Sequence, residues 1–84
     1  MNSKEAEGLV RGCLGQIAPE SPYADVAVDA DYREVLALDS LDFLQLVELL
    51  SGRTGVRIDE SEYPRLATIA SAVDFLVGSS VRPG

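Results

Sequence analysis

The chain has 84 residues, enough for one small domain and no more, and 46% of them are apolar, which allows a modest core. Seven Lys and Arg against 14 Asp and Glu give a net charge of −7, which argues against nucleic-acid binding, a task dominated by Lys and Arg contacts. The single cysteine, Cys13, excludes an internal disulfide framework, and the apolar runs are far too short for a membrane span.

An acidic surface of this kind suits partners with basic patches and fast, salt-sensitive encounters. Residues 1–7 are polar and lack the apolar core of a signal peptide. A reduced, cytoplasmic setting and a monomer are the default expectations.

The first helix is predicted from about Lys4 to Ile17, capped by Asn2 or Ser3, with Glu5 placed as in a capping box. Ala6, Leu9, Val10, Cys13, Leu14 and Ile17 share one buried face, so Cys13 reads as a core thiol. Gly8, Gly12 and Gly15 weaken this helix intrinsically, and Pro19 and Pro22 end it. Residues 18–39 form a long connection, with Val26 and Val28 as anchors and Tyr32, Val35, Leu36 and Leu38 as a short inward-packing turn.

The second helix is predicted from Ser40 to about Arg53, with Asp39 as its N-cap and Gly55 as its left-handed C-terminal cap. It is apolar over most of its circumference. It is therefore nearly surrounded by neighbours, or it shows an apolar shoulder at Leu41 and Phe43 to a partner. Val56 and Ile58 read as a link dipping into the core. Asp59 and Glu62 open a short third helix that Pro64 cuts off. Thr68 caps a last helix with Ile69, Ala72, Val73, Leu76 and Val77 facing inward. The expected fold is all-α: a small four-helix bundle with a long loop between helices 1 and 2 and a short helix 3. It is a single domain over 1–84, with an ordered core at about 3–77 and a flexible tail at 78–84.

Chemistry concentrates at Asp39-Ser40-Leu41. A serine in the first turn of a helix lies near free backbone N–H groups and the positive end of the helix dipole, which favour a phosphate ester there. Read alone, Asp-Ser at a helix start is a common capping pair. A nucleophilic enzyme is disfavoured, because the chain has no histidine and Lys4 is its only lysine. A metal site at Asp59, Glu60 and Glu62 is less economical than a solvated acidic helix start.

The Asp39-Ser40-Leu41 segment resembles the Asp-Ser-Leu motif of the acyl carrier proteins. The likeness extends through Gly55-Val56-Arg57-Ile58, Tyr63-Pro64 and Leu66-Ala67-Thr68-Ile69. The resemblance implies a non-enzymatic carrier bearing 4'-phosphopantetheine, delivered from coenzyme A to Ser40 by a phosphopantetheinyl transferase. The arm would hold acyl intermediates as thioesters, loaded by an acyl- or aminoacyl-loading ligase and passed to downstream acyl-transferring enzymes. Asp39 is placed to help hold a metal and a basic partner surface during attachment. Partners would dock on the second helix, at Asp39, Leu41, Asp42, Gln45 and Glu48. An acyl chain would fold back near Leu44, Leu46, Val47, Ile58, Ile69 and Ala72.

The sequence departs from the family pattern at Ala37, where a glycine is common. It departs again at Gln45 and at Ser51-Gly52-Arg53, where acidic residues are usual. These departures point to a specialised fatty acid, polyketide or other secondary pathway. The alternatives are an aminoacyl or peptidyl carrier, or an unmodified helical interaction module.

Overall fold

Helix α1 (Ser3–Ile17) opens the chain in the computed structural model, which describes residues 1–80. Asn2 caps it through the predicted box: the Glu5 N–H donates to Asn2 Oδ1 at 2.8 Å, and the Asn2 N–H donates to Glu5 Oε1 at 3.2 Å. Ala6, Val10, Cys13 and Leu14 form its buried face, and burial raises the Cys13 thiol above its ordinary pKa. Gly15 has a packing reason. A Cβ there would lie 2.6 Å from the Tyr23 ring, so the connection can close against α1 only where a side chain is missing.

The connection from 18 to 39 is irregular but anchored. The Arg11 side chain donates to the carbonyls of Tyr23 and Ala24 at 3.2 and 3.3 Å, beside a short 3-10 turn at Tyr23–Asp25. Val26 is buried. Val28, expected as a second anchor, points its side chain out, while its carbonyl accepts the Ala70 N–H at 2.8 Å. A one-turn helix, α2 (Tyr32–Val35), follows, with Asp31 capping the N–H groups of Arg33 and Glu34. Tyr32, Leu36 and Leu38 face the core as expected. Val35 does not: it is 52% exposed.

Helix α3 (Ser40–Thr54) starts at the predicted residue, and Gly55 ends it at φ +74°. Phe43, Leu46, Val47 and Leu50 make its buried face. The third helical segment, Glu60–Leu66, is a 3-10 helix that contains Pro64 rather than ending there. Proline's missing N–H forbids an α-type bond at that point. One 3-10 turn precedes it, where the Glu62 N–H donates to the Asp59 carbonyl, and another carries the chain past it, where the Ala67 N–H donates to the Pro64 carbonyl. Thr68 caps α4 (Ile69–Ser80), accepting the Ser71 N–H at 3.1 Å. The helix runs through Gly78–Ser80, and the rest of the expected tail, 81–84, lies outside the described residues.

Helices α1, α3 and α4 pack around one core, with α1 in contact with both others. Tyr32 ties the connection to the far side: its buried hydroxyl donates to the Leu66 carbonyl. An isolated bridge between Asp31 and Thr68 joins the same two regions. No strand forms among the described residues, and the all-α bundle stands.

Candidate functional site

The loop into α3 is set by the end of α2. The Leu38 N–H donates to the Arg33 carbonyl at 2.8 Å and the Ala37 N–H to the Glu34 carbonyl at 3.3 Å. This is a Schellman ending with Ala37 in the left-handed position, at φ +55°. Leu38 is buried behind it, and the chain emerges at Asp39 in extended conformation.

Capping of α3 then falls to aspartates. Asp39 Oδ1 accepts the Asp42 N–H at 2.8 Å, and Asp42 Oδ2 accepts the Asp39 N–H at 3.2 Å. The capping-pair reading of Asp-Ser is therefore half right: Asp39 caps and Ser40 does not. Ser40 is exposed in the first helical position, and no hydrogen bond among the described residues uses its hydroxyl.

Beside Ser40 lies an open cavity of about 460 Å³. Its apolar wall comes from Phe43 and Leu44 of α3 and from Tyr63, Pro64 and Ala67 of the 3-10 segment and its end. Asp31 and Arg33, at the start of α2, complete it. Phe43 meets Tyr63 edge to face, with centroids 5.4 Å apart at 81°, and the Arg33 guanidinium lies 4.6 Å from the Phe43 centroid. A slender arm ending in a phosphodiester fits this setting. Joined through the Ser40 hydroxyl, it would lie beside the unpaired N–H groups of the helix start, a cation and an apolar trough.

The other sequence-predicted residues separate into two groups. Leu41 is 76% exposed, and Asp39, Gln45 and Glu48 are exposed with it, while Asp42 is half-buried in its box. Leu41, Gln45 and Glu48 share one helix face by spacing. Phe43, read from sequence as part of an apolar shoulder, is buried. The exposed apolar partner of Leu41 is Leu44, at 44%. Of the positions expected near an acyl-binding cleft, only Leu44 lines the cavity. Leu46, Ile69 and Ala72 are wholly buried, Val47 nearly so, and Ile58 half-buried against the core. The sequence reading missed Asp31, Arg33, Tyr63, Pro64 and Ala67 as wall residues. Only the aromatic ring of Tyr63, next to Pro64, hinted at a role.

Residues 9–76 match the family described as "Phosphopantetheine attachment site". The chain is 35% identical to the acyl carrier protein of Rubrobacter xylanophilus over 54 residues, which is 64% of this chain and 67% of that protein. It is 32% identical to the acyl carrier protein of Saccharopolyspora erythraea, over 64% of this chain and 57% of that one. It is also 32% identical to the acyl carrier protein of Acidothermus cellulolyticus, over 71% of each.

Proposed function

Because this chain belongs to the acyl carrier protein family, whose prosthetic group is covalently attached 4'-phosphopantetheine, we propose that Ser40 bears the arm and that the protein delivers acyl cargo to partner enzymes. The observation that carries this reading is the division of labour at the α3 start. Asp39 takes the cap, so the adjacent Ser40 hydroxyl stays exposed and opens on the cavity. The arm supplies a terminal thiol that holds the cargo as a thioester.

The protein's own residues do the rest. The α3 N-terminus favours the phosphate, and the walls at Phe43, Leu44 and Tyr63 give the arm and a small cargo an apolar resting place. Ser40 acts as an anchor and not as a catalytic nucleophile of the chain's own, since no histidine exists to activate it; its hydroxyl attacks the coenzyme A pyrophosphate only in the transferase, which releases the nucleotide phosphate. The partners are a phosphopantetheinyl transferase and acyl- or aminoacyl-handling enzymes, in a reduced, cytoplasmic setting that suits the buried Cys13. They dock on the exposed face at Leu41, Leu44, Gln45 and Glu48, with Asp39 and Asp42 at its head. No helix among the described residues is long and apolar enough to cross a membrane.

The weak acidity of α3 supports a specialised pathway over general fatty acid synthesis. Its two carboxylates are Asp42, which is committed to the capping box, and Glu48. Rim charges of this kind set association rate and partner choice.

Intact mass after incubation with coenzyme A, magnesium and a promiscuous phosphopantetheinyl transferase tests the reading. The wild-type chain should gain one arm. Ser40→Ala should gain none while unfolding within about 0.5 kcal/mol of wild type, as expected for an exposed position outside the cap. Loading of the alanine variant would remove Ser40 from the assignment.

A further inference from the structure

Among the described residues Arg33 is the one cation in the wall of the cavity beside Ser40; it stacks on the Phe43 ring, and no carboxylate pairs with it. Among the described residues the ion pairs are Arg11 with Glu7 and Arg57 with Asp59. Arg33 has neither an ion pair nor a side-chain hydrogen bond. Arg65, stacked on Phe75, also lacks an ion pair and a side-chain hydrogen bond, but only Arg33 stands in the cavity wall.

The side chain is nonetheless held. Its backbone N–H donates to Asp31 Oδ1 at 3.0 Å, and its carbonyl accepts the Leu38 N–H at 2.8 Å, so both ends of the residue are fixed. The guanidinium stacks over Phe43, and Phe43 is itself wedged edge-on against Tyr63. Phe43 follows Ser40 by three residues and so lies one turn along the same side of α3. Asp31 Oδ1 accepts both capping N–H groups of α2, and no ion pair or hydrogen bond joins the Asp31 carboxylate to the Arg33 side chain, whose donors stay uncommitted.

We propose that Arg33 is a positioning residue for the prosthetic arm: its guanidinium receives the phosphodiester that joins the arm to Ser40 and lays the arm along the cavity over Phe43 and Tyr63. This rests on the carrier reading above. The chemistry is matched on both sides. Ser40 lines the cavity, so attachment there would bring an anion to its edge, and the planar fork of arginine pairs with two phosphate oxygens at once. The competing role is plain packing, in which the guanidinium only covers the Phe43 ring. Packing alone predicts the same Arg33 environment with and without the arm.

The test uses full-length apo and holo protein, wild type, Arg33→Gln and Arg33→Lys, each first weighed as intact protein. The readouts are the 31P resonance of the arm and the side-chain Nε–H resonance of Arg33. The expected result is a shift of the Arg33 Nε–H resonance between apo and holo wild type. The 31P resonance should move in Arg33→Gln and move less in Arg33→Lys, which keeps the charge and, being conservative, the fold. The 31P difference should collapse at 1 M salt, where the Debye length is about 3 Å. An Nε–H resonance unchanged between apo and holo wild type, or a 31P resonance unmoved in loaded Arg33→Gln, overturns the inference and leaves the carrier reading intact. Failure of the wild-type chain to gain the arm overturns both.

Discussion

At the scale of single residues, the site depends on which of two adjacent polar side chains caps α3. Both Asp39 and Ser40 are good capping residues, and the extended backbone at Asp39, with φ −89° and ψ −176°, gives the role to the aspartate. That choice frees Ser40. A second single-residue feature lies three positions upstream. Ala37 occupies the left-handed position that glycine fills at low cost, in an exposed setting where its methyl group packs little. Ala37→Gly should relieve about 1–2 kcal/mol of backbone strain. It should give back about 0.5–1 kcal/mol through the freer unfolded chain. The expected net is a stabilisation of up to about 1.5 kcal/mol, read as a rise in urea midpoint with an unchanged slope. A lower midpoint would mean that the Ala37 methyl group packs more usefully than its exposure indicates.

At the scale of elements, α1, α3 and α4 carry the ladder hydrogen bonds and most of the core. The connection from 18 to 39 and the segment Glu60–Leu66 hold only single-turn and 3-10 helical pieces, with no long α-helical ladder. Their hold comes from side chains: Val26, Tyr32, Leu36 and Leu38 on one side and Leu66 on the other. Local opening is cheapest where backbone bonds are sparse and exposed. Amide hydrogens in residues 18–39 and 60–66 should therefore exchange faster than those in the middle of α1 and α4, as measured by hydrogen exchange with mass or NMR detection. Uniform protection would show that the anchoring side chains bind these segments as tightly as a helical ladder. The same two segments supply Asp31, Arg33, Tyr63 and Pro64 to the cavity wall, so their opening is also the route by which the cavity would change shape.

At the scale of the whole molecule, the join between those segments is the buried hydroxyl of Tyr32 on the Leu66 carbonyl. Burial is the main cause that pushes its pKa well above the tyrosine range, and the charge of Arg33 only partly offsets this. Burial also raises Cys13 from its ordinary 9.0. Both groups are neutral when protonated, and the folded state holds their protons more tightly than the unfolded chain does. Their contribution is thus full below the unfolded pKa values and is lost as pH rises through the folded ones. Stability should hold to about pH 8 and then fall, most steeply above about pH 10, where unfolded tyrosine ionises. Tyr32→Phe should flatten the steep part of that fall. It should also cost about 1–3 kcal/mol at neutral pH by leaving the Leu66 carbonyl without its donor. Thermal midpoints of both proteins between pH 7 and 11 check this, and a midpoint that rises toward pH 11 would contradict it.

The sequence by itself determined the elements whose signals are local. The capping box at Asn2 and Glu5, the α3 start at Asp39, the left-handed end at Gly55 and the Thr68 cap all rest on contacts within four residues. The buried stripe of α1 follows from a period of 3.6. Ser40 was legible for the same reason, since its position at a helix start is a local fact. Only the tertiary structure decided which way ambiguous apolar residues face. Phe43 turns inward while Leu41 and Leu44 turn out, because α3 is apolar nearly all round and its orientation is fixed by what α1 and the 3-10 segment leave uncovered. Only the tertiary structure could assemble the cavity wall as well. Arg33, Phe43 and Tyr63 come from three separate segments, and no spacing rule along the chain relates residues that meet through packing.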